Sequence, residues 1–255
     1  MNLHGHAALV TGAASGLGAA AARELARRGA RVAVLDVNLA QAEQVAAEIG
    51  GLALRCDVAD SASVTAALDA AQAVHGAARI VVNAAGIVAA QRVLQKDGTP
   101  APLDDFERVL RVNLVGSYNV IRLAAARTAA LPALDDDGER GVIINTASIA
   151  AWDGQVGQAA YAASKGAIAS MTLPLARDLA QFGIRVVGIA PGIFMTPMMA
   201  GLPAAVQESL AASIPFPKRM GRPSEFGQLV AHIVENIALN GEVIRLDGAL
   251  RMAPR

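Results

Sequence analysis

The 255-residue sequence has one cysteine, Cys56, so it can form no internal disulfide. A lone cysteine fits a reducing compartment, and we expect Cys56 to be a small buried residue at the end of a strand. Aromatic residues make up only 3% of the chain, and its 22 basic and 22 acidic residues cancel. The chain thus has no excess of basic residues and few aromatic side chains that could stack on bases. We therefore predict no nucleic-acid partner.

Long apolar runs are also lacking. None approaches the roughly 20 residues that a membrane span requires, and no basic and then apolar leader opens the chain. We therefore expect a cytoplasmic protein with no membrane partner, and we predict no metal site. Hydrophobic residues nevertheless make up 54% of the chain, enough for a large core. At this length we expect a single domain over residues 1–255.

Short apolar runs alternate with alanine-rich helical stretches along the whole chain. Seven runs have the length and continuous apolar character of strands buried on both faces. They are His6–Thr11, Arg31–Asp36, Leu52–Cys56, Arg79–Asn83, Gly141–Ala147, Ile184–Ala190 and Glu242–Leu246. The alternation predicts an α/β protein with a doubly wound Rossmann fold, in which helices cover both faces of a seven-stranded parallel sheet.

The turn after the first strand is rich in glycine. Gly12 permits a tight turn, Gly16 lets the backbone approach a pyrophosphate, and Gly18 allows close helix packing. A helix begins here, and its N-terminus favours phosphate. The spacing differs from the G-x-G-x-x-G fingerprint, so a purely structural turn is the alternative.

The second strand ends at Asp36, 18 residues after Gly18. A carboxylate there can accept both adenosine ribose hydroxyls and would repel the extra phosphate of NADP. Neither Val37 nor Ala13 offers a positive charge to bind that phosphate. We therefore predict NAD as the cofactor; the alternative is an acid that merely ends a strand.

Three further strand exits carry residues suited to a flat ligand. Asp57 and Val58 follow the third strand, where a side chain can reach the adenine edge. Asn83, Ala84 and Gly86 follow the fourth strand and suit backbone close to the cofactor, unless they form only a tight strand exit. After the sixth strand, the backbone of Pro191 and Gly192 is placed to close over the nicotinamide, with Ile193 and Thr196 near its carboxamide.

Tyr161 and Lys165 are four residues apart in a predicted helix from Ala159 to Ala180. This spacing places phenol and ammonium on one helix face. A tyrosine has a pKa of about 10, and an adjacent ammonium favours the phenolate and lowers that value. Tyr161 could then exchange a proton with a substrate hydroxyl. The alternative is an ordinary pair on an exposed helix.

Ser148 and Asn113 complete the set of candidate catalytic residues. Ser148 follows a predicted buried strand, so its hydroxyl can polarise the same substrate oxygen, or it merely caps a turn. Asn113 lies inside the predicted helix from Leu103 to about Ala130, where a buried amide needs partners. We expect it to hold a water or a backbone carbonyl beside Lys165. Tyr118, by contrast, is predicted to be a packing residue, and so is Trp152, for which a place in the wall of the substrate cleft is the alternative.

With these motifs in order, the chain resembles the classical short-chain dehydrogenase/reductase family over essentially its full length. The cofactor turn is Thr11-Gly-Ala-Ala-Ser15-Gly-Leu17-Gly18, and Asn83-Ala84-Ala-Gly86 is similar to the family's second motif. Asn113, Ser148, Tyr161 and Lys165 resemble its catalytic four. The resemblance implies that Tyr161 is the general acid/base, Lys165 lowers its pKa and binds the nicotinamide ribose, Ser148 orients the substrate oxygen, and Asn113 holds a proton-relay water.

Several longer runs, including Gly154 to Tyr161 and Asn240 to Gly248, resemble the 3-hydroxyacyl-CoA dehydrogenase subgroup. The likeness implies NAD-dependent oxidation of fatty or branched 3-hydroxyacyl-CoA. It also implies that Gln155 and Gln158 line the substrate pocket, although a plain polar loop is the alternative. Independently of the likeness, residues 198–220 are apolar, interrupted by prolines and short in period, and this pattern predicts a mobile substrate lid over about residues 193–222.

The family also suggests a homotetramer that acts on a small-molecule substrate. The candidate cations for coenzyme A phosphates are Lys218, Arg219 and Arg222. The functional alternatives are a 3-oxoacyl carrier-protein reductase, a hydroxysteroid dehydrogenase and a non-catalytic NAD-binding scaffold.

Overall fold

The computed structural model describes residues 1–254. A parallel seven-stranded sheet with strand order β3-β2-β1-β4-β5-β6-β7 forms its centre. The strands are β1 Ala7–Thr11, β2 Arg31–Asp36, β3 Leu52–Arg55, β4 Ile80–Asn83, β5 Gly141–Thr146, β6 Ile184–Pro191 and β7 Val243–Leu246. Each strand begins and ends within one residue of its predicted run, so the predicted Rossmann fold is confirmed.

The helices lie between the strands in the predicted alternation. They are α1 Gly16–Arg27, α2 Leu39–Ile49, α3 Ser61–His75, α4 Leu103–Leu110, α5 Ser117–Ala129, α6 Ala159–Ala180, α7 Pro197–Ala200, α8 Ala204–Ala212 and α9 Pro223–Glu235. A π-helical segment, Arg111–Gly116, joins α4 to α5. The predicted long helix is therefore continuous but locally widened, and π segments of this kind occur often at functional sites.

Both faces of the sheet are buried, which explains the absence of polar alternation in its strands. On β1, Val10 points into the core formed with α1 and α9, whereas Leu9 points into the opposite core formed with α3 and α5. On β2, Val34 likewise points into the first of these cores and Leu35 into the opposite one. The continuous apolar runs of the sequence are thus the signature of two hydrophobic layers around one sheet.

The chain reverses its direction of travel across the sheet between β3 and β4, because β1 has β2 on one side and β4 on the other. Ligands bind at such a switch point, outside the carboxyl ends of the strands. Beyond β6, residues 193–222 contain α7 and α8 and anchor themselves through buried Ile214 and Met220. Across residues 1–254, no helix combines the length and apolar content that crossing a membrane requires.

Candidate active site

The glycine-rich turn and the exit of β4 pack directly against each other. The Thr11 hydroxyl accepts hydrogen bonds from the amides of Ala84 and Ala85, both at 3.2 Å. Gly12 has a φ of +62°, and a Cβ there would lie 2.6 Å from the Ala85 Cα. At Gly18, a Cβ would overlap the Gly12 carbonyl. These glycines permit the close approach that the sequence predicts.

The N-terminus of α1 leaves donors free for an anion. Ser15 is the N-cap residue, but its exposed side chain makes no capping hydrogen bond. The amides of the first turn, which includes Leu17, have no intrahelical acceptors. Gly16 has a φ of +56°, and a Cβ there would lie 3.6 Å from Thr196 Cγ2. The turn and the segment after β6 therefore lie against each other at the helix N-terminus, where an anion is favoured.

Asp36 stands at the carboxyl end of β2, half-buried. Its Oδ2 accepts from the Ala14 amide at 3.1 Å and its Oδ1 from the Asn38 amide at 3.0 Å. Val37 beside it is exposed and apolar. Sequence reasoning missed Arg55, which the parallel register of β2 and β3 places beside Asp36. Both strands end in a charged residue, and that shared feature could have revealed the pair.

The remaining predicted cofactor residues lie along the same edge of the sheet. Asp57 is exposed just after β3, whereas Val58 is buried. Asn83 is buried, and its Nδ2 donates to Asn145 Oδ1 on β5 at 2.9 Å. Among the described residues, Asn83 Oδ1, Asn145 Nδ2 and Thr146 Oγ1 are buried without a partner at the switch point. The segment from Pro191 to Thr196 follows β6, as predicted.

Lys165 is buried beneath this edge, and its Nζ donates to the Thr146 carbonyl at 2.6 Å. The same Nζ lies 5.8 Å from the centre of the Tyr161 ring. The structure therefore brings the predicted pair together on one face of α6. Burial lowers the pKa of Lys165 from 10.5 to about 8, because the charged ammonium loses its hydration.

Lowering of the Tyr161 pKa by Lys165 stays a prediction, and the net shift in the structure has the opposite direction. Burial raises the pKa of Tyr161 above 10, and a side-chain hydrogen bond with Ser148 opposes that rise only in part. The cause is desolvation, which disfavours the phenolate.

Ser148 follows β5 and begins the short 3-10 turn Ile149–Ala151. Its Oγ accepts a hydrogen bond from the Ala150 amide at 3.1 Å. The simple capping role is therefore real, and it also fixes the hydroxyl. Because Oγ acts as acceptor in this bond, its proton is free to be donated to a substrate oxygen or to Tyr161.

Asn113 lies fully buried in the π-helical segment. Its Oδ1 accepts from the Ile87 amide at 2.8 Å, and its Nδ2 donates to the Ile87 carbonyl at 2.9 Å and to Ser164 Oγ at 3.0 Å. A Cβ on Gly86 would lie 3.2 Å from Asn113 Oδ1 and 3.6 Å from Lys165 Nζ. The expected backbone partner is thus Ile87, and the amide joins α6 to the exit of β4.

The predicted pocket glutamines bind each other and the end of the described chain. The Gln155 amide donates to Gln158 Oε1 at 3.1 Å, and Gln155 Nε2 donates to the Ala253 carbonyl at 2.9 Å. These contacts fit the plain polar loop, and lining of the pocket by either glutamine stays a prediction. Among the candidate cations, Arg219 forms a bidentate pair with Glu225, whereas Lys218 and Arg222 are exposed.

Two predictions about aromatic residues are wrong. Tyr118 is 50% exposed and Trp152 is 53% exposed, so neither is a core packing residue. Tyr118 projects from α5 at a position that the apolar spacing of the sequence does not distinguish from a buried one. Trp152 lies beneath the guanidinium of Arg245, whose Cζ is 5.5 Å from the ring centre. The prediction for Cys56 is confirmed, because it is buried and its pKa is raised to about 12.

The donor set fits a nicotinamide dinucleotide. Free amides and the Ser15 hydroxyl would face the pyrophosphate, the Asp36 carboxylate would face a ribose, and unpartnered polar atoms lie near the ends of β4 and β5. Ser148 lies just after the carboxyl end of β5, and Tyr161 and Lys165 lie in the first two turns of α6, on the same edge. A phenol and a serine hydroxyl that converge there can orient one alcohol oxygen and accept its proton.

Comparisons with known proteins agree with this geometry. A family model described as short chain dehydrogenase matches residues 6–207. The chain is 51% identical over 249 residues to 3-hydroxyacyl-CoA dehydrogenase type-2 of Drosophila melanogaster, a match that covers 96% of this chain and 97% of that protein.

Two solved structures are similar over nearly the full chain. The crystal structure of 3-hydroxyacyl-CoA dehydrogenase type-2 from Mycobacterium avium has a TM-score of 0.92 and 42% identity, and the match covers 98% of both chains. The structure of 3-ketoacyl-(acyl-carrier-protein) reductase from Brucella melitensis complexed with NADH has a TM-score of 0.85 and 32% identity, over 98% of this chain and 100% of that one.

Proposed function

The chain belongs to the short-chain dehydrogenase family and is an oxidoreductase, and from this premise we propose that it oxidises 3-hydroxyacyl-CoA to 3-oxoacyl-CoA with NAD. The single observation that carries the proposal is the full-length similarity to 3-hydroxyacyl-CoA dehydrogenase type-2 proteins, combined with an intact set of catalytic residues. We include 2-methyl-branched substrates, and we expect the homotetramer common in the family.

The preference for NAD rests on the end of β2. The Asp36 carboxylate lies where a ribose hydroxyl would bind, and a phosphate there would meet a negative charge. Arg55 lies beside it in register and is the one feature that favours NADP. Asp36 is held by two backbone amides at the cofactor edge, so we assign it the larger effect.

The chain's own groups account for the proton chemistry. In the alcohol oxidation, Ser148 Oγ donates to the substrate oxygen, and the Tyr161 phenolate takes the hydroxyl proton. When bound, the nicotinamide supplies the acceptor for the hydride that leaves the alcohol carbon. Lys165 Nζ has two protons left after its bond to the Thr146 carbonyl, and these suit a ribose hydroxyl. Asn113 fixes the backbone at Ile87, between the cofactor edge and α6. A proton-relay water held by Asn113 stays a prediction.

The experiment is NADH formation at alkaline pH with 3-hydroxybutyryl-CoA, 2-methyl-3-hydroxybutyryl-CoA and a hydroxysteroid, each repeated with NADP. Efficient turnover of the acyl-CoA substrates with NAD supports the proposal. Activity confined to the steroid, or to reduction of 3-oxoacyl substrates with NADPH, would replace it with one of those alternatives.

The matched pair Tyr161→Phe and Tyr118→Phe separates an enzyme from a scaffold, because Tyr118 is the only other tyrosine. We expect Tyr161→Phe to lower kcat by about 100-fold or more while NAD affinity is retained, since only the proton transfer is lost. Tyr118→Phe should match the wild type. Equal turnover in both variants would remove Tyr161 from the mechanism.

A further inference from the structure

A charged cluster outside the catalytic groups holds the Ser–Tyr loop, which we define as residues 149–160 between Ser148 and Tyr161. Its centre is Arg245 on β7. The Arg245 Nε donates to Asp247 Oδ2 at 2.7 Å, and one terminal nitrogen donates to Asp153 Oδ2 at 2.6 Å. The side chains of Arg245 and Asp153 are 22% and 15% exposed. Solvent and salt therefore screen this ion pair less than an exposed one.

The ion pair crosses the width of one strand. In the sheet, β6 lies between β5 and β7, so Arg245 reaches from β7 to the loop that follows β5. Asp153 stands at the end of the short turn that Ser148 begins, and its amide donates to the Ile149 carbonyl at 2.9 Å. A shift of Asp153 is therefore transmitted to Ser148 through one turn of backbone.

The other end of the cluster touches the cofactor edge. Asp247, the second partner of Arg245, packs against Gly192, where a Cβ would lie 2.8 Å from the Asp247 Cβ. The Gly192 amide also donates to the Leu246 carbonyl at 2.9 Å. Arg245 thus joins the Ser–Tyr loop to the segment predicted to close over the nicotinamide.

The loop has weaker anchors elsewhere. The Val156 amide donates to the Pro254 carbonyl at 3.0 Å, and the Gly157 carbonyl accepts from the Gln91 amide at 2.8 Å. Both are neutral hydrogen bonds near the far end of the loop, and a charge-assisted bond is about twice as strong as a neutral one. The ion pair between Arg245 and Asp153 is the charged contact that holds the loop on the side nearest Ser148.

We propose that Arg245 is a positioning residue for the reaction, which acts through Asp153 to hold Ser148 and the Ser–Tyr loop in register with the nicotinamide side of the cofactor site. The proposal rests on the proposed function. Arg245 needs no contact with substrate or cofactor for this role. Small displacements of orienting groups lower rates by factors of about 100, so loss of the tie should weaken turnover far more than cofactor binding.

The variants are Arg245→Met and the isosteric Asp153→Asn, compared with Arg127→Met. Arg127 is a matched control, because its side chain is also 22% exposed and bonds Asp69 at 2.6 Å. It lies near the C-terminal end of α5, beside the amino ends of the strands and away from the carboxyl ends where the catalytic residues lie. We expect both cluster variants to lose about tenfold or more in kcat/KM for a 3-hydroxyacyl-CoA, with NAD affinity by calorimetry unchanged. The control should match the wild type in both.

Trp152 supplies a readout that ordinary destabilisation does not move. It is the only tryptophan, it lies in the Ser–Tyr loop, and Arg245 stacks on it. In folded protein, Arg245→Met and Asp153→Asn should shift its emission and increase quenching by acrylamide, whereas Arg127→Met should not. If Arg245→Met fails to fold, Asp153→Asn carries the test alone.

The proposal is overturned if kcat/KM of folded Asp153→Asn equals that of the control, or if its Trp152 signal is unchanged. Failure of the proposed function looks different. In that case the wild type forms no NADH from 3-hydroxyacyl-CoA. The role of Arg245 is then tested by the Trp152 signal and by turnover of the secondary alcohol that the wild type does oxidise.

Discussion

The buried ammonium of Lys165 should make the folded protein less stable than its hydrophobic replacement at neutral pH. Its pKa falls from 10.5 to about 8, and at about 1.4 kcal/mol per pH unit this difference corresponds to about 3 kcal/mol against the charged form. Lys165→Met removes that cost and also the hydrogen bond to the Thr146 carbonyl, worth about 1–2 kcal/mol. We therefore expect Lys165→Met to be about 1–2 kcal/mol more stable than the wild type at pH 7, and inactive.

The pH dependence tests the cause. Between pH 8 and 10.5 the unfolded wild type keeps the Lys165 proton while the folded protein releases it, so raising the pH through this window stabilises the wild type. The variant has no such group and gains nothing from it. The stability gap between the two proteins should therefore shrink from pH 7 to pH 9.5.

The assay is urea unfolding at pH 7 and pH 9.5, at fixed protein concentration. Lys96→Met, which removes an exposed lysine from a surface loop, is the matched control and should track the wild type at both values. The burial argument would be refuted if Lys165→Met were less stable than the wild type at pH 7. It would also be refuted if the stability difference between the two proteins were the same at pH 7 and pH 9.5.

Three other predictions concern the same edge of the sheet. Since the pKa of Tyr161 is raised, its phenolate is scarce at neutral pH. We therefore expect kcat/KM for alcohol oxidation to rise between pH 7 and pH 9 at saturating NAD. A kcat/KM that does not change over this pH range would contradict the prediction. Asp36→Asn should raise the Kd for NAD about tenfold and narrow the preference for NAD over NADP. The control is Asp136→Asn, at an exposed position in the loop before β5. Calorimetry with both cofactors is the measurement, and an unaltered preference would contradict the assignment. Gly18→Ala should lower the free energy of unfolding by several kcal/mol because its Cβ overlaps the Gly12 carbonyl. Gly166→Ala, whose Cβ would lie 3.9 Å from the Ala151 carbonyl oxygen, should be neutral or stabilising. Equal thermal melting temperatures of the two variants would contradict the overlap.

Short-range patterns account for what could be predicted correctly. Strands buried on both faces require unbroken apolar runs, so the seven strands were readable to within one residue. The turn around Gly12 and Gly18 needs glycine for steric reasons that act within a few residues. Tyr161 and Lys165 share a face because of the helical repeat alone, and the order of strands and helices leaves few folds open.

The sequence by itself thus determined the sheet and which candidate cofactor and catalytic residues lie along its carboxyl edge, because both depend on spacing along the chain. Tertiary structure decided the direction of the Tyr161 pKa, since burial depends on segments far away in sequence. It also decided the partners of Asn113, the neighbour of Asp36 at Arg55, and the bond from Arg245 to Asp153, 92 residues apart. Such contacts follow from how strands and loops are placed side by side in space, which no local period encodes.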